Sequence, residues 1–199
     1  MDALVIVAHP DDEVIWCGGL LLRRAKWRWT ILSLCRSSDV DRAARFGRVC
    51  AFLGVRGLIE DLDDSTPPAA LDGPRDIAPL ILRHAGPKCW DLCLTHGQNG
   101  EYGHVRHRQV SAEVMRLAQG GELACRRLWT FAVQCDLKGR CQGAGSADLC
   151  LHPSGQELTA KRRIIRDMYG FAEDSFEARA CGWPEHFARQ SLRLRCVTL

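Results

Sequence analysis

Apolar positions in the first third of the chain follow two periods. ALVIVA, Ala3 to Ala8, is an unbroken apolar run rich in β-branched residues, and TILSLC, Thr30 to Cys35, is a second. Between them, from about Val14 to Trp27, the apolar residues have the length and spacing of a helix, so the three segments predict a β-α-β unit. Val40 to Leu53 recurs at helical spacing, and Gly54 stops it as a C-cap glycine would. A short run follows at Gly57 to Ile59. DLDDSTPPAALDGP, Asp61 to Pro74, is dense in Asp, Pro and Gly and predicts a loop long enough to cover a site. Ile77 to His84 then reads as helix, Trp90 to Thr95 as strand, His104 or Val105 to Gln119 as helix, and Arg127 to Val133 as strand. Further on come a Gly-rich loop (Gly139 to Gly145), a short strand (Asp148 to His152) and a helix from about Gly155 to Phe171. Strands alternating with helices imply an α/β fold, a mainly parallel sheet between two layers of helices.

Composition adds bounds. A chain of 199 residues, 46% apolar and 26% charged, fits one globular domain spanning 1–199, and neither a linker nor an internal repeat interrupts it. The net charge of +3 is too small and dispersed to imply nucleic acid. The basic clusters at Arg126 and Arg127, Lys161 to Arg163, and Arg193 and Arg195 read as solvated faces. The first residues lack a basic region and carry acids at Asp11 to Glu13, and no apolar run reaches membrane-spanning length, so the expectation is a cytoplasmic protein without stable membrane insertion. Eleven cysteines are scattered without a CxxC pair, and in a reducing compartment most would be buried thiols. Cys135, Cys141, Cys150 and His152 form the one grouping that suggests a second metal, with irregular spacing.

The chemistry lies where the first strand ends. His9-Pro10-Asp11-Asp12-Glu13 sets three adjacent acids after a buried run. They repel one another and no fold needs them there for stability, so something cationic belongs among them. THGQNGEYGHVRH, Thr95 to His107, follows another strand in the same way, and ligands of parallel sheets bind outside such carboxyl ends. Imidazole and carboxylate are zinc ligands, and a catalytic site keeps three protein ligands and one open position. His9 and Asp12 can converge on one ion, and a histidine of the second loop can complete the set. Of His104 and His107, spaced i,i+3, one can bind metal while the other does proton chemistry. Singly, a strand-end histidine or helix-N-terminal acids have ordinary structural explanations; two such clusters at strand ends are harder to dismiss.

AHPDDE at Ala8 to Glu13 together with GEYGHVRH at Gly100 to His107 resembles the signatures of the LmbE-like or PIG-L-like zinc-dependent N-deacetylases. The resemblance is position-specific to about Leu53 and again from Trp90 to Val110, and it fades over the last third. It implies a Rossmann-like three-layer α/β/α domain and removal of an acetyl or other acyl group from the amide nitrogen of an N-acetylglucosamine-type sugar, as a small molecule or a lipid-linked glycoconjugate. By position it implies His9, Asp12 and His107 as ligands of Zn2+ or another divalent transition metal, Asp11 as general base, His104 as general acid or oxyanion partner, and Tyr102 near the substrate carbonyl. DRAARFGRVCAFLG resembles the family helix whose early arginine binds substrate, which places Arg42 in that role, and an acid of the following loop, Asp64, would bind sugar hydroxyls.

Two departures stand beside these matches. The family's second signature commonly reads HPDH where this chain has His104-Val105-Arg106-His107, and an inward Arg106 would depress the pKa of His104. Arg45 stands where the family often has glutamate. Arg106, together with a C-terminal part short for the family, motivates an alternative, a catalytically weak member that keeps its metal and serves as a sugar-binding module. A phosphate-transfer enzyme using the acid pair with magnesium fits less well, because His9 and His107 suit zinc better than a hard ion. GWPEHF, Gly182 to Phe187, reads as a C-terminal anchor or as a wall of the acceptor pocket.

Overall fold

The computed structural model describes residues 1–65 and 70–192. In chain order its strands are β1 (Asp2–Val7), β2 (Arg28–Ser33), β3 (Arg56–Ile59), β4 (Leu92–Thr95), β5 (Leu128–Phe131), β6 (Val133–Cys135), β7 (Cys141–Gly143), β8 (Leu149–Leu151) and β9 (Glu185–Gln190). The helices are α1 (Asp12–Arg23), α2 (Val40–Leu53), α3 (Ala78–Ala85), the single turn α4 (Gly100–Gly103), α5 (Val105–Gly120), α6 (Gly155–Arg163) and α7 (Phe176–Ala180). Wide π-type turns at Gly73–Ile77 and Ile164–Met168 lead into α3 and continue α6.

Seven strands form one sheet in the order β3-β2-β1-β4-β5-β9-β8. The first five are parallel, and β9 is antiparallel to both β5 and β8. From β1 the chain proceeds outward through β2 and β3, then returns to β4 on the other flank of β1. The carboxyl ends of β1 and β4 therefore border the crevice where strand order reverses, the usual ligand position in such sheets.

The continuous apolar run of β1 has a direct reason. Ala3, Val5 and Val7 pack on one face with α1 and α2, while Leu4, Ile6 and Ala8 pack on the other with α3 and α5. A strand covered on both faces has no polar side to alternate with. Helix α2 has the ends its sequence predicts: Asp39 accepts from the Arg42 N–H, and Gly54 takes the left-handed conformation at φ 66°.

The C-terminal third departs from expectation. Val133 belongs to β6, which pairs with β7 in a two-stranded ribbon, so the predicted strand ends at Phe131 and part of the predicted Gly-rich loop is β-structure. GWPEHF leads into β9, inside the central sheet. Period alone could not reveal this, because EHFARQ is apolar only where it faces the core. Cys135 and Cys141 are joined as a disulfide, so they are neither thiols nor members of a four-residue metal cluster, whereas Cys17, Cys35, Cys50, Cys93 and Cys181 are the buried thiols expected. No helix among the described residues is long and apolar enough to cross a membrane.

Helix α1 is broken at Cys17 (φ −143°, ψ 18°), and the freed backbone groups meet buried charges. The Glu185 carboxylate accepts from Gly19 and Leu20 N–H at 2.6 and 3.0 Å. Lys161 Nζ donates to Ile15 O at 3.1 Å and to Glu185 at 2.6 Å. An interior ion pair thus supplies partners that the helix ladder has lost.

Candidate active site

Strand β1 delivers His9, and the turn into α1 buries Asp11, Asp12 and Glu13. Asp11 has φ 117°, a conformation that a non-glycine residue holds only under constraint. Glu13 supplies it: Oε2 accepts the Asp11 N–H at 3.0 Å, and Oε1 accepts the Tyr169 hydroxyl at 2.6 Å. Burial raises the Glu13 pKa to about 7 against the effect of that hydroxyl. The third acid therefore braces the turn. Asp12 opens α1, its carboxylate accepting from His9 N–H at 2.9 Å and Trp16 Nε1 at 3.0 Å.

Strand β4 delivers His96 and the loop that follows. Glu101, also left-handed at φ 56°, sits behind two rings. Its Oε2 accepts from His96 Nδ1 at 3.0 Å and His107 Nδ1 at 2.7 Å, and Oε1 accepts the Gly97 N–H at 2.7 Å. Burial opposes its charge, but the two imidazoles outweigh burial and lower its pKa to about 2.

The inner nitrogens converge. His9 Nδ1, Asp12 Oδ2 and His107 Nε2 are separated by 3.4, 3.4 and 3.3 Å. Donors around a tetrahedral zinc ion with Zn–N near 2.05 Å lie about 3.3 Å apart. The outer nitrogen of each ring meets a carboxylate, Glu101 for His107 and Asp64 Oδ1 at 3.2 Å for His9. That pattern aims the inner lone pairs at one point, as carboxylates behind ligand histidines do. Three lone pairs so close require a cation or a proton between them. With no ion, burial disfavours a charged His9, yet hydrogen bonds to Asp12 and Asp64 raise its pKa well above the ordinary value. Asp12 is held well below its usual range by His107 and His96, despite burial. His96 also lies within reach of a shared ion with Asp12 and His107, but its Nε2 accepts the Ala8 N–H at 2.9 Å, which uses the lone pair a ligand needs.

The other residues singled out from sequence surround this point. A cleft of about 180 Å³ is lined by His9, Asp11, Asp12, Arg42, Asp64, Tyr102 and His104 among others. Burial and the adjacent Asp12 charge push the Asp11 pKa well above the carboxylate range, and Arg42 Nη1, donating to Asp11 Oδ2 at 2.7 Å, counters them. His104 lies with its ring 4.9 Å from His9 and 4.5 Å from His107, and its Nδ1 is buried without a partner. Burial, then the neighbouring His107 and His9 rings, lowers its pKa to about 4. Arg106 is not the cause. Its guanidinium turns away to the Asp63 carbonyl at 2.5 Å and Gln109 Oε1 at 2.7 Å, tying the predicted loop to α5. Arg45 likewise faces Asp41 and the Tyr169 carbonyl.

His96 and Glu101 escaped the sequence reading although both lie inside its second motif. The available signals were a histidine directly after a strand and an acid six residues before His107.

A family model described as "PIG-L: GlcNAc-PI de-N-acetylase" matches residues 4–118, a stretch that contains the converging donors and every lining residue discussed above. The N-acetylglucosaminyl-phosphatidylinositol de-N-acetylase of Bos taurus is 28% identical over 130 residues, 60% of this chain and 51% of that protein. The 1D-myo-inositol 2-acetamido-2-deoxy-alpha-D-glucopyranoside deacetylase of Corynebacterium diphtheriae is 27% identical over 191 residues, 77% of this chain and 62% of that protein. The chain thus spans little more than half the length of these curated relatives. Among solved structures, GalB, the 4-carboxy-2-hydroxymuconate hydratase of Pseudomonas putida KT2440, superposes with a TM-score of 0.66 over 98% of each chain at 16% identity, a likeness of fold. Since the family match covers more than half of the chain and both motif-bearing strand ends, this protein belongs to the PIG-L (GlcNAc-PI de-N-acetylase) family.

Proposed function

We propose that this protein is a metal-dependent N-deacetylase that hydrolyses the acetamide of an N-acetylglucosamine-type sugar, free or carried on a small molecule or lipid, with zinc as its metal. One observation carries the reading: the mutual 3.3 to 3.4 Å spacing of His9 Nδ1, Asp12 Oδ2 and His107 Nε2, with carboxylates behind both rings. These three residues hold the ion, which when bound polarises the amide carbonyl and acidifies a water.

The chain's own groups do the rest. Asp11 accepts the water proton, and its raised pKa brings it nearer the working range of a general base. Arg42 fixes the orientation of that carboxylate. Tyr102 and His104 border the cleft and supply donors to the tetrahedral oxyanion. Because His104 is neutral at pH 7, the proton needed by the departing amine comes from Asp11, which has just received one. That balances the reaction: one water and one amide give one acetate and one protonated amine, the acid's remaining proton passing to the amine, and Asp11 returns to its starting state. Asp64 receives sugar hydroxyls from its position beside His9 and Arg36.

Arg106, one ground for the binding-module alternative, is engaged by Asp63 and Gln109. The test is metal content of the purified chain, then amine release from N-acetylglucosamine and its conjugates with and without chelator. Asp11→Asn should retain the metal and lose about 10²- to 10⁴-fold in turnover. Turnover surviving in Asp11→Asn, or amine release indifferent to the chelator, overturns the reading.

A further inference from the structure

The basic cluster Lys161 to Arg163, which the sequence marks as a solvated face, divides in the structure. Lys161 is buried against Glu185, while Arg162 lines a cavity of about 560 Å³. Helix α7 contributes to this cavity and to the catalytic cleft alike: Phe176 and Glu177 line the cleft, Ala178 and Arg179 the cavity. The cavity collects five cations from separate elements. Lys138 and Arg140 come from the β6–β7 turn, Arg162 from α6, Arg166 from the turn that continues α6, and Arg179 from α7. Glu173 is the one acid in the lining.

Like charges gathered around one cavity repel one another until an anion joins them. The protein's own carboxylates fall short of that. Asp136 pairs with Arg140 at 2.7 Å and Asp167 with Arg166 at 2.6 Å. Among the described residues, no carboxylate lies within ion-pair distance of Lys138, Arg162 or Arg179. The cations are also held in place. Asp136 accepts the N–H groups of Lys138 and Arg140 at 2.9 and 3.0 Å, and the Trp183 indole donates to Gly139 O at 3.0 Å, which fixes the β6–β7 turn. A Cβ on Gly139 would stand 2.9 Å from Arg179 Cβ, so this turn packs directly on α7. A Cβ on Gly182 would meet Arg162 Nη2 at 3.3 Å, so that guanidinium rests against bare backbone. Groups ordered before binding lose less freedom on binding.

We propose that this cavity binds the phosphate group of an organic phosphate ester, at a site separate from the His9–Asp12–His107 centre. A phosphate monoester brings roughly two negative charges and three acceptor oxygens, enough to meet several cations at once, which a single carboxylate cannot do. Guanidinium forks match its oxygens with paired, charge-assisted hydrogen bonds. Volume narrows the class further, because 560 Å³ suits a whole small molecule and exceeds what one phosphate ion fills. Trp183, 40% exposed, lines the same cavity and offers an apolar ring to the rest of the ligand. The phosphate belongs to a soluble ester or to a lipid headgroup. The inference does not depend on the deacetylase reading, since the cavity and the catalytic cleft share no lining residue.

Calorimetric titration of the intact chain with phenyl phosphate tests the site, and flotation with phosphatidylcholine vesicles, with and without phosphatidic acid, separates the two sources. The expected result is saturable binding, about tenfold weaker in Arg162→Ala and in Arg179→Ala and partly recovered in Arg179→Lys. Arg42→Ala, which removes a cation of the catalytic cleft, should bind phenyl phosphate like the wild type. Flotation that requires phosphatidic acid and is lost in the two alanine variants identifies a lipid headgroup; phenyl phosphate binding without flotation identifies a soluble ester. Circular dichroism and thermal unfolding of each variant establish that it folds. The proposal is overturned if neither probe binds, if Arg162→Ala and Arg179→Ala both bind like the wild type, or if only Arg42→Ala loses binding, which places the phosphate at the metal centre.

Discussion

At the scale of single residues, the charge arrangement around Glu101 accounts for more of the site than its position in the sequence suggests. One carboxylate oxygen takes an N–H from each of His96 and His107, so it sets which nitrogen of His107 faces the cleft. Glu101→Gln should therefore weaken metal binding about 10- to 100-fold, whereas Asp11→Asn leaves it nearly unchanged; zinc titration of the two variants makes the comparison. Asp11, Asp12, His9, His104 and His107 were legible because residue chemistry marked them before any fold was known, Tyr102 was implied by the family resemblance, and all six border one cleft or its buried wall. Arg106 was equally visible but its direction was not. An arginine two positions after His104 in sequence can point into the site or out of it, and only the loop at Asp63 decides.

At the scale of elements, the break in α1 joins the site to the far side of the sheet. Asp12 sits in the first turn of this helix, and the break at Cys17 is bridged by Lys161 from α6 and Glu185 from β9. Both charges are fully buried, with exposures of 0% and 1%. Removing one partner strands the other, so Lys161→Met should cost about 3 to 5 kcal/mol of stability in urea unfolding. Adding Glu185→Gln to that variant should recover part of the loss, since no uncompensated charge then remains. The strands of the N-terminal half were readable because burial on both faces writes a continuous apolar run. Strand β9 was not, because it is short and mixes charged with apolar residues, and its place between β5 and β8 follows from partners separated by tens of residues.

At the scale of the whole molecule, buried carboxylates make stability depend on pH in the metal-free protein. Glu101 has its pKa lowered from 4.5 to about 2. A depressed acid contributes stability that is complete above its unfolded value and disappears as pH falls through the folded one. Unfolding free energy should thus drop by about 3 kcal/mol between pH 4.5 and 2 from this residue, and Glu101→Gln should flatten that arm. Glu13 acts in the opposite sense. Its pKa is raised to about 7, so its share is fullest below pH 4.5 and is lost as pH rises to 7. Denaturant titrations of the metal-free wild type, Glu101→Gln and Glu13→Gln across this range separate the two arms.

The sequence by itself determined the β-α-β beginning, the mainly parallel sheet and the two motifs, because local period and residue chemistry are written in consecutive positions. It also raised the expectation of a cation among Asp11 to Glu13, since adjacent acids repel one another. Tertiary structure alone decided that β1 and β4 are neighbours, which brings donors 98 residues apart to 3.3 Å. It alone paired Cys150 with His186 across an antiparallel ladder, and joined Cys135 to Cys141. Such pairings depend on which segments share a sheet edge, and that is settled by the packing of the entire core rather than by any window of the chain.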